Sequence, residues 1–142
     1  MKIFLLFISL FVFNNGFSQT SVNDFGKKTF DEVMNTESYS PCEVTEKKTI
    51  TYCVEDGSRI SFLFNNHQIL YGIMTMTAFS SKYAAEKELE NEISKSKSSL
   101  GILPRISNGK TIFNTLESPI FVSYSVEFVN QTYFLVHYIA KK

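Results

Sequence analysis

The sequence predicts an α+β fold, in which one long helix packs on a mainly antiparallel sheet of about six strands. Three observations lead to this class. Apolar and polar residues alternate with a period of two in several runs of strand length. One long segment carries both the start and the stop signals of a helix. The links between successive strand-like runs are too short for parallel crossovers, so these runs pair as antiparallel neighbours.

The predicted order of elements is α-βββ-α-βββ, and its first helix is short. Thr29 and Glu32 match a capping box, so this helix begins at Phe30 and ends near Thr36. Three strand-like runs follow it, at residues 49–54, 59–64 and 68–79. The third run is apolar on both faces, which is typical of a central strand that is covered on both sides.

The turns between these runs set the predicted pairing. Because a slip of one residue moves every side chain to the other face, we expect an odd-length turn over residues 56–58. That turn pairs Val54 with Ile60. The next turn, over residues 66–67, pairs Phe64 with Ile69.

The long helix follows the third strand. Ser80 or Ser81 caps its start, and Gly101 is suited to the left-handed position beyond its end. Its buried stripe is predicted to comprise Ala85, Leu89, Ile93 and Leu100.

The last three strands comprise a short one at residues 110–114 and a long C-terminal hairpin. Both arms of the hairpin alternate regularly, and Asn130-Gln131 turns the chain between them. The predicted register pairs Phe128 with Tyr133 and Val126 with Leu135.

The N-terminal segment is predicted to be a signal peptide over residues 1–18. Lys2 supplies its positive charge, the apolar run ends at Phe13, and Gly16 and Ser18 occupy the small-residue positions before the cut. An uncleaved anchor is the alternative, but the run is shorter than the about 20 residues that a membrane-spanning helix needs. Gln19 offers no thiol for a lipid, so the sequence predicts an exported, unlipidated bacterial protein, periplasmic or extracellular. Residues 19–28 are expected to be flexible, and 29–142 to form a single α+β domain.

The two cysteines are predicted to form a structural disulfide. Cys42 and Cys53 lie symmetrically about residues 47–48, so a hairpin there places them opposite each other. Export to an oxidising compartment favours this bridge. A redox pair usually has closer spacing, and a zinc site needs more ligands nearby.

Composition excludes several classes of partner. Without residues 1–18, 50 of 124 residues are apolar and the net charge is −1. A chain this apolar and this weakly charged is not disordered. The balanced charge provides neither a basic surface for nucleic acid nor a polybasic membrane patch. We expect no stable membrane insertion after cleavage.

No motif of catalysis, cofactor binding or metal binding is present in the sequence. His67 falls in a turn, and His137 lies in the middle of a strand facing Tyr124. One alternative function is therefore a small hydrolase that uses His137 with Glu127. The predicted register places these two residues on opposite faces, which argues against that pair.

Aromatic residues are the one unusual feature. Phe121, Phe134 and Tyr138 share one face of the C-terminal hairpin, and a single helix cannot cover both faces of the sheet. Either the N-terminal helix covers part of the second face, or a large twisted sheet curls and buries its own aromatic residues, or the face is exposed as a binding surface. The sequence therefore favours a non-catalytic binding module of the inhibitor, immunity or envelope accessory type. Its partner is an unidentified protein, a small apolar ligand or a second copy in a homodimer. An oligomeric structural protein of the envelope is a further alternative.

Overall fold

The computed structural model describes residues 20–115 and 118–142, so the predicted signal peptide lies outside the described residues. The helices are α1 (Phe30–Thr36) and α2 (Lys82–Leu100). A short 3-10 helix at Val22–Asp24 precedes them. The strands are β1 (Glu43–Thr45), β2 (Thr49–Cys53), β3 (Arg59–Phe64), β4 (Leu70–Phe79), β5 (Arg105–Ser107), β6 (Lys110–Phe113), β7 (Ile120–Val129) and β8 (Thr132–Lys141).

The strands form one antiparallel sheet in the order β1-β2-β3-β4-β8-β7-β6-β5. The α+β class with its antiparallel sheet is confirmed, but the prediction of about six strands is wrong, because eight are present. The two extra strands, β1 and β5, have three residues each and lie at the edges. They form through tight turns with left-handed backbone at Glu46, Lys47, Asn108 and Gly109. The order of elements is therefore α-ββββ-α-ββββ.

Residues 20–28, which precede α1, pack against the sheet. Phe25 is 6% exposed and belongs to the core. The Gly26 N–H donates to the Leu70 carbonyl, and the Thr20 N–H donates to Glu37 Oε1 at 3.0 Å. The segment is mainly polar in composition, and its buried aromatic residue Phe25 holds it to the sheet.

Both helices begin and end at the predicted signals. Thr29 and Glu32 form the reciprocal capping box of α1. The Ser81 side chain accepts from the Ala84 N–H at the start of α2, and Gly101 ends it in the left-handed region at φ 65°. A residue with a side chain would be strained at that φ, whereas glycine is not.

The C-terminal hairpin has the predicted register, and the two earlier turns do not. Phe128 lies opposite Tyr133, as expected. The β2–β3 turn is odd in length but spans five residues, so Tyr52 rather than Val54 lies opposite Ile60. It is longer because the side chain of Ser58 is fully buried and accepts from the Ala78 N–H.

The β3–β4 pairing also differs from the prediction. Phe64 lies opposite Leu70 and not opposite Ile69, and the register shifts beyond this pair. The turn is longer because Asn65 Oδ1 accepts from the N–H groups of His67 and Ile69. Ile69 instead forms a bridge with Thr29, the residue that caps α1.

The predicted disulfide joins Cys42 and Cys53. The hairpin it closes is offset by one residue from the predicted symmetry, since Glu43 lies opposite Thr51. Cys42 therefore lies just beyond the last pair, where its N–H donates to the Thr51 carbonyl. The bridge ties the short edge strand β1 to the sheet.

Candidate functional site

Both helices of the described chain lie on the same face of the sheet. The core under α1 includes Phe62, and the core under α2 includes Val122 and Tyr124. Phe62 lies beside Ile73 of β4, Ile73 beside Ile139 of β8, and Ile139 beside Val122. Residues directly opposite in adjacent strands point to the same side of a sheet, so these two cores share one face.

The other side of the sheet, called the helix-free face below, is covered by neither α1 nor α2. Its two central strands contribute only uncharged residues. These are Gly72, Met74, Met76 and Ala78 of β4, and Phe134, Val136, Tyr138 and Ala140 of β8. A solvated face of an antiparallel sheet is normally polar, so this face has the composition of a contact surface.

The three residues predicted as a binding face all lie on the helix-free face. Phe121 and Tyr138 are partly exposed and meet edge to face, with ring centroids 5.2 Å apart. Phe134 is only 5% exposed. Burial, together with the neighbouring Tyr71, raises the pKa of Tyr138 to about 12, so its phenol stays protonated. Met74 and Met76, which the prediction omitted, add partly exposed apolar surface beside them.

Polar side chains on the helix-free face hydrogen-bond to each other. The hydroxyls of Thr51 and Ser61 are 2.9 Å apart, and the Ser125 hydroxyl donates to Glu127 Oε1 at 3.2 Å. Burying this face against a partner would therefore cost less free energy than burying hydroxyl groups that have no hydrogen-bond partner.

An open depression of about 510 Å³ lies beside β2, β3 and β4. Lys48, Thr49, Leu63, Asn65 and Tyr71 are among its lining residues. Its volume is within the range of small-molecule sites, but such sites are concave and enclose most of their ligand. An open depression of this kind is more typical of one part of a larger protein–protein contact than of a small-molecule site.

The histidine predicted to face Tyr124 lies on the helix-covered face, under α2. His137 is 3% exposed, and its ring stacks on Tyr124 with centroids 4.4 Å apart. Burial lowers the pKa of His137 to about 3, so the imidazole is neutral at physiological pH. The Tyr124 hydroxyl lies 2.9 Å from the Ser96 hydroxyl of α2, and burial raises the Tyr124 pKa to about 12. This arrangement positions α2 on the sheet.

The hydrolase pair of the sequence analysis does not meet in the structure. Glu127 lies opposite Phe134, whereas Tyr124 lies opposite His137, so the carboxylate and the imidazole point to opposite faces. Among residues 20–115 and 118–142, no group of three or more metal-ligating side chains comes together. In the same ranges, no helix is long and apolar enough to cross a membrane.

Comparison with protein-family models, with curated proteins and with solved structures finds no match to this chain.

Proposed function

We propose that this protein is an exported, non-catalytic binding module that contacts its partner through the helix-free face. One observation carries the proposal: α1 and α2 both pack on the opposite face, although the central strands β4 and β8 contribute uncharged and mainly apolar residues to the helix-free face. Apolar central strands need cover on each face. On the helix-free face, Phe134, Val136 and Ala140 are 5%, 6% and 0% exposed within this chain. The surface available to a partner is therefore formed by their partly exposed neighbours Met74, Met76, Phe121 and Tyr138.

The side chains of the helix-free face suit protein contact. Methionine and aromatic residues are enriched at protein interfaces, and charged residues are depleted from interface cores. Met74, Met76, Phe121 and Tyr138 are partly exposed in a region whose two central strands contribute no charge. The Cys42–Cys53 bridge supports the exported setting, since stable disulfides belong to oxidising compartments.

Site-specific photo-crosslinking tests this function. A photoreactive phenylalanine analogue is placed at Met76 on the helix-free face, or at Tyr83, which is 74% exposed on α2, as the matched control. After irradiation of the native cells, we expect a discrete protein adduct from position 76 and none of that mass from position 83. Adducts of equal yield from both positions, or none from position 76, would contradict the proposal.

A further inference from the structure

The open depression beside β2, β3 and β4 lies at a break in strand pairing. Two residues of β4, Leu70 and Gly72, pair with consecutive residues of β3. Tyr71 between them is therefore an extra residue, and β-bulges of this kind re-aim side chains and are frequent beside functional sites. Leu70 belongs to the core under α1, whereas Tyr71 lines the depression.

The residue after the bulge has no side chain, and this leaves room for an aromatic ring. A Cβ at Gly72 would lie 3.4 Å from both Leu63 Cδ1 and Tyr138 Cε2. Burial raises the pKa of Tyr138, and a hydrogen bond to Tyr71 adds to this rise. A hydrogen bond raises the pKa of the group that donates it, so Tyr138 is the donor. The O–H of Tyr71 can therefore donate to a further group.

The polar side chains that line the depression are mainly hydrogen-bond donors. Asn65 Oδ1 accepts from the N–H groups of His67 and Ile69 at 2.9 and 3.1 Å, so its Nδ2 group is left to donate outward. Lys48 contributes an ammonium group that forms no ion pair with a carboxylate of the described chain. Together with the O–H of Tyr71, these groups give the depression three donors and a positive charge.

This set of groups matches a carboxylate better than a phosphate. A carboxylate carries one negative charge and accepts up to about four hydrogen bonds. Phosphate groups carry up to about two charges and are typically bound by arginine or by several cations. Lys48 is the one cation among the described lining residues, and the remaining polar ones, Thr49 and Asn66, can donate or accept. The charge of the depression therefore balances one carboxylate.

The depression is continuous with the partly exposed apolar residues of the helix-free face. Tyr138 meets Phe121 edge to face and lies opposite Met74 of the adjacent strand. Tyr71, through its contact with Tyr138, joins this group to the depression. Protein interfaces combine an apolar centre with a polar rim. A partner that covers these apolar residues therefore brings its own rim over Lys48.

We propose that the depression binds an aspartate or glutamate side chain of the partner protein. This inference rests on the proposed function and names the chemistry by which the partner is recognised. Lys48 supplies the opposite charge, and Tyr71 and Asn65 donate hydrogen bonds to the carboxylate oxygens. Charge-assisted hydrogen bonds at the rim of an interface orient the partner, while the apolar residues beside them exclude water.

Photo-crosslinking from position 76 in the native cells tests this contact with the partner present. We expect Lys48→Glu to lower the yield of the adduct about tenfold, because it places a negative charge against the partner's carboxylate. Lys47→Glu is the matched control, since Lys47 is exposed in the same turn but does not line the depression, and it should leave the yield unchanged. An unchanged yield in Lys48→Glu would overturn the carboxylate contact and leave the binding module standing.

An NMR titration of the purified protein tests the same site without the partner. The probe is N-acetyl-glutamate methylamide, and its uncharged control is N-acetyl-glutamine methylamide. We expect saturable shifts of the amide signals at residues 48–49 and 63–66 with the glutamate probe alone. These shifts should be lost in Lys48→Met, which removes the charge, and kept in Lys47→Met.

The two experiments together separate failure of this inference from failure of the proposed function. Equal shifts with both probes, or a full response in Lys48→Met, would overturn the carboxylate site whether or not an adduct forms. Shifts with the glutamate probe but an unchanged adduct in Lys48→Glu would assign the site to a free organic acid and overturn the partner contact. The absence of any adduct from position 76 of the wild-type protein would overturn the proposed function and the partner contact, and the titration would still decide whether the depression binds a carboxylate.

Discussion

Acidification is expected to destabilise this protein below about pH 6.5, because His137 is buried and neutral in the folded state. Its pKa is lowered to about 3 in the fold, whereas an unfolded chain has an ordinary histidine pKa of about 6.5. Above pH 6.5 neither state binds this proton, so the histidine adds no pH dependence. Below it the unfolded state takes up the proton first, and stability falls by about 1.4 kcal/mol per pH unit until the folded state is protonated near pH 3.

Urea unfolding between pH 7.5 and pH 5 measures this effect. His137→Gln, which cannot titrate, should remove most of the slope, whereas His67→Gln in an exposed turn should leave it unchanged. The carboxyl of Glu32 contributes only at lower pH, because its pKa is lowered from an already acidic value by hydrogen bonds from Thr29. An identical slope in wild type and His137→Gln would show that the buried imidazole is not the cause.

Phe62→Ala is expected to cost about 3–5 kcal/mol of unfolding free energy, the usual range for truncating a buried phenylalanine. Phe62 is 1% exposed and packs between Ile50 and Ile73 in the core under α1. Truncation leaves a cavity between the sheet and the N-terminal segment, which depends on this core to hold it.

Chemical unfolding, monitored by circular dichroism, measures this loss of unfolding free energy. Phe128→Ala is the matched control, because Phe128 is 61% exposed and contacts mainly Tyr133, and we expect it to cost less than about 1 kcal/mol. If Phe62→Ala does not fold, Phe62→Leu replaces it, with a smaller expected loss of about 1–2 kcal/mol. Equal losses at positions 62 and 128 would contradict the assignment of the core.

Some elements of the fold could be predicted from short stretches of neighbouring residues. The capping box at Thr29 and Glu32, the end of α2 at Gly101 and the register of the C-terminal hairpin all follow from adjacent residues. The disulfide also follows, because cysteines close in sequence in a hairpin have few ways to pair.

Features that depend on distant contacts did not follow from the sequence. The edge strands β1 and β5 have only three residues each, too few to show a periodicity. The β2–β3 turn has its length because Ser58 contacts Ala78, twenty positions away. Ser96 is the one buried polar residue that spacing could have revealed, since it continues the helical stripe of Leu89 and Ile93 and meets Tyr124.

The positions of the candidate binding residues were partly predictable. Alternation within the hairpin is enough to place Phe121, Phe134 and Tyr138 on one face. Whether a helix covers that face depends on where α1 packs. The residues that link α1 to the sheet have no pattern that predicts on which face it packs. The contacts of Phe30 and Val33 with the core decide it, and they place α1 on the same face of the sheet as α2.

Methionine oxidation tests the contact role of the helix-free face most directly. The purified protein and the protein in intact native cells are treated briefly with peroxide, and the sulfoxide at each position is measured by mass spectrometry. We predict that Met74 and Met76 oxidise in the purified protein and are protected in the cells, where the partner is present, while Met34 of α1 shows no such difference. Equal oxidation of Met74 and Met76 in the purified protein and in the cells would contradict the contact role of this face.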